Sequence, residues 1–156
     1  MRKTIISRES REEPRGGTKW LDLGNIASVE ISSEDPAQPI DAALKPVGAP
    51  GWRAAGPGPQ MIRILFDQPQ RLSRIYLLIN EEQLSRTQEF VLRWSPDGKS
   101  FREIVRQQFT FSPPGTTVEQ EEFTMELAGV TVLELEIMPD ISGSAARASL
   151  GRLLLA

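Results

Sequence analysis

The chain has no cysteine and no histidine in 156 residues, a single tyrosine, and only 6% aromatic side chains. Without cysteine there is no disulfide, no thiolate nucleophile and no cysteine-based zinc site, which fits a reducing compartment. Without histidine, the commonest general base and the commonest metal ligand are both missing. Catalysis would have to rest on carboxylates, lysine, tyrosine or arginine, and a bound metal would be a hard cation such as calcium held by oxygens. Long apolar runs are also missing. No stretch approaches the roughly 18 residues of a membrane helix, and the opening segment MRKTIISRESREEPRGG holds no apolar run of signal-peptide length. These absences lead to the expectation of a cytoplasmic protein without membrane contact.

A surplus of positive charge is lacking too. The formal net charge is −3, and residues 1–19 carry six basic against three acidic side chains, so the remainder stands at −3 − 3 = −6. An acidic body excludes the clustered basic face that nucleic acid requires. Residues 1–19 read as a flexible charged N-terminal arm, either solvated or a docking arm for an acidic partner, and residues 20–156 as one domain. Arginine outnumbers lysine fourteen to four.

What is present beyond residue 60 is a series of short alternating apolar runs separated by turn residues, the pattern of an all-β sandwich or barrel. Ile62, Ile64 and Phe66 give a strand with one buried face, and FDQPQ reads as a turn after it. Ile75, Leu77 and Ile79 point one way while Tyr76 and Leu78 point the other, so that strand is covered on both sides. Phe90, Leu92 and Trp94 form the next buried face.

WSPDGKSF, residues 94–101, then contains Gly-Lys-Ser, the tail of a phosphate-binding loop. Such a loop needs a glycine five positions before Gly98, where this chain has Arg93, and it should open a helix. Instead Phe101, Glu103, Val105, Gln107, Phe109 and Phe111 continue with period two. Ser-Pro-Asp-Gly is turn chemistry: proline presets φ, aspartate bonds back to nearby backbone, and glycine accepts positive φ. The segment is read as a hairpin turn.

Val118 to Leu127 is an acidic strand expected at a sheet edge or with one solvated face. Thr131, Leu133, Leu135 and Ile137 form a further buried face, with Glu134 and Glu136 expected to point outward. Arg147 to Leu155 is too apolar for a free tail and should lie inside the sandwich. Earlier in the chain, residues 39–44 read as a one-turn helix with proline near its start. Residues 45–60 form a long Gly/Pro-rich loop holding Trp52.

This order of elements carries a resemblance. A short helix ending in Ala-Ala-Leu, a loop with a Trp, PQMIRILFDQPQRLSRIYLLI, FVLRWSPDGKSFREI and a terminal ARASLGRLLLA together resemble the discoidin family, also called the coagulation factor type C or galactose-binding-like family. SRTQEF, FREIVRQQFTFSPPGTT and ARASL look like a group of bacterial discoidin-like proteins. The resemblance covers about residues 20–156 and implies an antiparallel jelly-roll β-sandwich of about eight strands. It implies a non-catalytic module that binds carbohydrate through loops at one end, or alternatively an intracellular protein–protein interaction domain. Members often carry a structural calcium site, with Asp in DG after the short helix and Glu near the last strand. Here those positions read Lys45-Pro46 and Ser149-Leu150-Gly151, and Glu34, Asp35 and Asp41 lack the pattern, so neither calcium nor any other cofactor is expected.

Within that frame, Trp52 and Arg53 suit a sugar, an indole face against a pyranose ring and fixed donors for its hydroxyls or a carboxylate. The alternative is that Trp52 caps the sandwich and Arg53 pairs with a nearby acid. Arg86 and Gln88 lie in the next loop, at the same end, either binding or ordinary loop polars. Arg106 and Gln108 share a strand face that either contacts a glycan chain or is simply solvated. Arg147 is expected to make a structural contact. Glu81-Glu82 and Glu121-Glu122 are adjacent and would face opposite sides of a strand, so no carboxylate pair is positioned for glycoside cleavage.

Overall fold

The computed structural model describes residues 19–47 and 50–156, and the arm expected over residues 1–19 lies outside the described residues apart from Lys19. Among the described residues, two single-turn helices, α1 (Leu23–Ile26) and α2 (Ile40–Ala43), accompany eight strands. The strands are β1 (Ala27–Ile31), β2 (Trp52–Pro57), β3 (Gln60–Asn80), β4 (Arg86–Ser95), β5 (Arg102–Phe111), β6 (Val118–Met138), β7 (Arg147–Leu150) and β8 (Arg152–Leu155). All their pairings are antiparallel. Pro39 precedes α2 with φ −74°, where its missing N–H leaves nothing unsatisfied.

The two 21-residue strands, β3 and β6, build both layers of the sandwich. Their first and last halves pair with each other, and the ribbon bends in the middle. Between Leu65↔Val132 and Gln70↔Val130, β3 advances five residues against two of β6, a multi-residue bulge that turns the ribbon's corner. One layer runs β1-β3-β6-β4-β5. The other holds the far halves of β3 and β6 with β8 beside β3, leaving β6 at its edge. FDQPQ is therefore not a turn. It is the bulged corner of one continuous strand, and Pro69 fits there because the bulge leaves its missing donor without a ladder partner to lose.

Period-two alternation fills the interior. Ile62, Ile64, Ile75, Leu77, Ile79, Phe90, Leu92, Leu133, Leu135, Ile137, Leu153 and Leu155 are all buried, and each stabilises the fold by about 1.5–3 kcal/mol of transfer free energy. The layers meet at Phe90 and Phe123, whose ring centroids are 6.3 Å apart. The terminal apolar segment is split by Gly151 into β7 and β8, both in the core.

The 94–101 segment is the hairpin turn it was read to be. The Asp97 carboxylate accepts the Lys99 and Ser100 N–H groups at 2.8 and 2.9 Å, and Gly98 sits at φ 76°. The amides that could hold a phosphate already hold Asp97. Glu134 needs correction. It lies on the outer face of its layer as expected, yet it is 4% exposed, because Arg63 and Arg93 on the flanking strands close over it at 2.7 and 3.0 Å.

Candidate functional site

At one end of the sandwich, four segments surround a cleft of about 490 Å³: Gln38 before α2, the residues entering β2, the end of β3 with its following loop, and the β7–β8 corner. Two glycines bring these segments together. A Cβ on Gly51 would lie 2.0 Å from the Leu150 carbonyl oxygen, and one on Gly151 would lie 3.1 Å from both the Leu78 carbonyl and the Asn80 amide nitrogen. Only backbone fits at the Gly51 crossing, and the Gly151 crossing is tight. The Gly151 N–H donates to the Leu78 carbonyl at 2.7 Å, which fixes the corner against β3.

Arg53 faces Ser149 across the β2–β7 ladder, so their side chains leave the same face of the ribbon. The Ser149 hydroxyl donates to the Asn80 carbonyl at 3.1 Å. The Arg53 guanidinium makes no hydrogen bond or ion pair to a described residue, and its Nε is buried without a partner. The side-chain amides of Gln38, Asn80 and Gln83 are likewise unpartnered among the described residues and line the same cleft. Leu78 and Pro50 add apolar surface. The site thus combines a little apolar wall with free, convergent donors and acceptors, the mix of a small polar-ligand pocket. A second cleft of about 610 Å³ lies against Trp20, Leu21, Val29, Leu44, Val47 and Ile64 and is mainly apolar.

The residues singled out in the sequence are dispersed. Trp52 is 2% exposed, and its indole N–H donates to the Ser33 carbonyl at 2.9 Å. The ring has no open face for a sugar, so the capping alternative describes it. Arg53, next to it, does reach the cleft. Arg86 and Gln88 are interior, 3% and 0% exposed. Arg86 Nε donates to Glu81 at 2.7 Å, its Nη1 donates to the Pro139 carbonyl at 2.8 Å, and its guanidinium lies over the Phe111 ring. Burial alone would raise the Glu81 carboxyl, but hydrogen bonds from Arg86 and the Gln83 and Leu84 amides outweigh it and hold its pKa below the usual value. Arg106 and Gln108 share an exposed outer face as expected, but their donors engage Glu89, and Arg106 also engages Glu103. Arg147 makes the structural contact foreseen for it, donating to the Ala54 carbonyl and pairing with Asp35 at 3.2 Å.

Inside the sandwich, Gln88 donates to Glu119 at 2.8 Å, and Gln107 donates to Glu119 at 3.1 Å and also to Glu121. Burial, reinforced by the hydrogen bond and charge of Glu121, pushes the Glu119 carboxyl up to about 7 against the opposing pull of the two glutamines. Two acids thus face inward on a strand whose other face, Val118, Gln120, Glu122, Thr124 and Glu126, is solvated as expected. Among the described residues no cluster of three or more acids is arranged to hold a metal, and no helix is long and apolar enough to cross a membrane.

No protein-family model and no curated protein matches the chain. Solved structures do match. CpGH89CBM32-5 from Clostridium perfringens, in complex with GalNAc-β-1,3-galactose, is 18% identical, with a TM-score of 0.65 over 88% of this chain and 99% of that one. CBM32-3 from a family 31 glycoside hydrolase of Clostridium perfringens is 15% identical, with a TM-score of 0.63 over 96% and 98%. The CBM32 of AlyQ, in complex with 4,5-unsaturated mannuronic acid, is 17% identical, with a TM-score of 0.62 over 89% and 98%. The fold is the β-sandwich of these modules, the one implied by the discoidin resemblance.

Proposed function

We propose that this chain, a galactose-binding-like β-sandwich, is a non-catalytic carbohydrate-binding module whose site is the cleft between β2, the end of β3 and the β7–β8 corner. The observation that carries this reading is the set of unpartnered polar side chains, Gln38, Arg53, Asn80 and Gln83, converging on one concavity. Side-chain amides both donate and accept, which suits the alternating hydroxyl rim of a pyranose. Neighbours of the same fold are described in complex with sugars, which supports the ligand class. The wall of Leu78 and Pro50, rather than an aromatic ring, offers the apolar contact.

Calorimetric titration of the full chain with a panel of neutral and acidic oligosaccharides tests this. Binding to a panel member should fall at least about tenfold, or 1.4 kcal/mol, in Asn80→Ala. The melting temperature should barely move, because that amide supports nothing else. A folded protein that binds no sugar would defeat the reading and bring back the protein-partner expectation.

A further inference from the structure

Resting on that reading of the cleft, we infer that the sugar it takes carries a carboxylate, as a uronic acid does, and that Arg53 receives it. The inference begins with an imbalance. Arg74, Arg86, Arg93 and Arg147, arginines withdrawn from solvent to varying degrees, each pair with a carboxylate: Glu122, Glu81, Glu134 with Glu136, and Asp35. Arg53 has none, and its Nε is shielded from water as well. A buried donor without a partner costs stability, and the guanidinium's remaining donors stand unpaired at the wall of an open cleft.

None of the acids near it is paired with Arg53: Glu82, on the cleft wall, is exposed and makes no ion pair among the described residues. Asp35, whose carboxyl feels the Arg53 charge, is engaged by the Ala37 N–H at 2.9 Å and by Arg147. Glu81, on the cleft wall, is held by Arg86 at 2.7 Å. Arg152 adds a second positive charge to the lining, anchored through Nη1 to the Ala42 and Gly151 carbonyls at 3.3 and 2.7 Å. A planar guanidinium presents parallel N–H donors that match a carboxylate fork. With the carboxylate on Arg53, the ring hydroxyls come within the province of the Asn80, Gln38 and Gln83 amides. A neutral sugar would leave Arg53 as it stands now.

The test compares matched ligands on the full chain: oligogalacturonate and oligomannuronate, each against its carboxyl-reduced or methyl-esterified counterpart, by calorimetry. At least one acid form should bind tenfold or more tightly than its neutral match. Arg53→Gln should remove that preference, and Arg53→Lys should restore part of it by returning charge without the fork. Neither variant should lower the melting temperature, since Arg53 donors hold up nothing in the fold, which separates recognition from a structural role. Neutral sugars bound as tightly as acidic ones, or a preference that survives Arg53→Gln, would overturn the inference and leave the sugar-binding reading intact. No binding to any of these sugars by folded protein would overturn both.

Discussion

Glu119 sits where two layers close, 1% exposed, with Glu121 as its neighbour and Gln88 and Gln107 as its donors. Arg86, the cation of this interior network, reaches it only through Gln88 and is paired with Glu81. Its carboxyl is raised from an ordinary 4.5 to about 7 by burial first and by Glu121 second. The folded state therefore binds a proton that the unfolded chain has released. That contribution is fully present below about pH 4.5 and is lost as pH rises to about 7. Glu81 and Asp97 act in the opposite sense. Their carboxyls are held low, so they stabilise above the ordinary carboxylate range and cease to do so as pH falls through it. Stability should peak near about pH 5. Urea midpoints across pH 4.5–8 should decline for the native chain and stay nearly flat for Glu119→Gln, whose amide can donate to Glu121 without carrying charge. Parallel declines in both would contradict this account. The inward direction of Glu119 and Glu121 was legible, because they share phase with Phe123, Met125 and Leu127. Their charge argued for solvent, but the glutamines that satisfy them come from distant strands and left no local mark.

At the scale of the element, although β2 (Trp52–Pro57) runs inside residues 45–60, which read as a loop, alternation located the strands beyond residue 60 and turn residues most of their ends. It failed at the β3 corner, where proline and polar residues have the same composition whether a chain reverses or bulges. The difference depends on whether β6 stays alongside, a non-local pairing. The loops entering β2 and leaving β3 were expected at one end of the sandwich, and they do share the cleft. The β7–β8 corner was not foreseen there, because Ser149 and Gly151 sit inside an apolar run that reads as core. Its geometry yields a sharp expectation. Gly51→Ala places a methyl 2.0 Å from the Leu150 carbonyl, which neither backbone can yield without breaking the β2–β7 ladder. The substitution should destabilise by about 1–3 kcal/mol and weaken sugar binding beyond that, since Arg53 and Ser149 lose their common face. An unchanged denaturant midpoint would show that the crossing is looser than described. Gly56→Ala, where a Cβ meets nothing within 4 Å, is the control.

For the whole molecule, charge separates two ways of holding an acidic sugar. The chain carries a formal net charge of −3, so at long range it repels an anion. Contact with Arg53 is local, at a guanidinium partly withdrawn from solvent. Salt acts on these differently. At 0.15 M the Debye length is about 8 Å, enough to screen the distant acids but not a desolvated pair in direct contact. Affinity for an acidic oligosaccharide should therefore hold steady or rise between 10 and 150 mM sodium chloride. A surface held together by exposed lysines and arginines would behave oppositely, losing affinity steadily over the same range. Stopped-flow titration at three salt concentrations separates the cases. Association rates should rise as repulsion is screened while dissociation rates change little. A fall in affinity of tenfold or more would place the anion on exposed cations, away from Arg53.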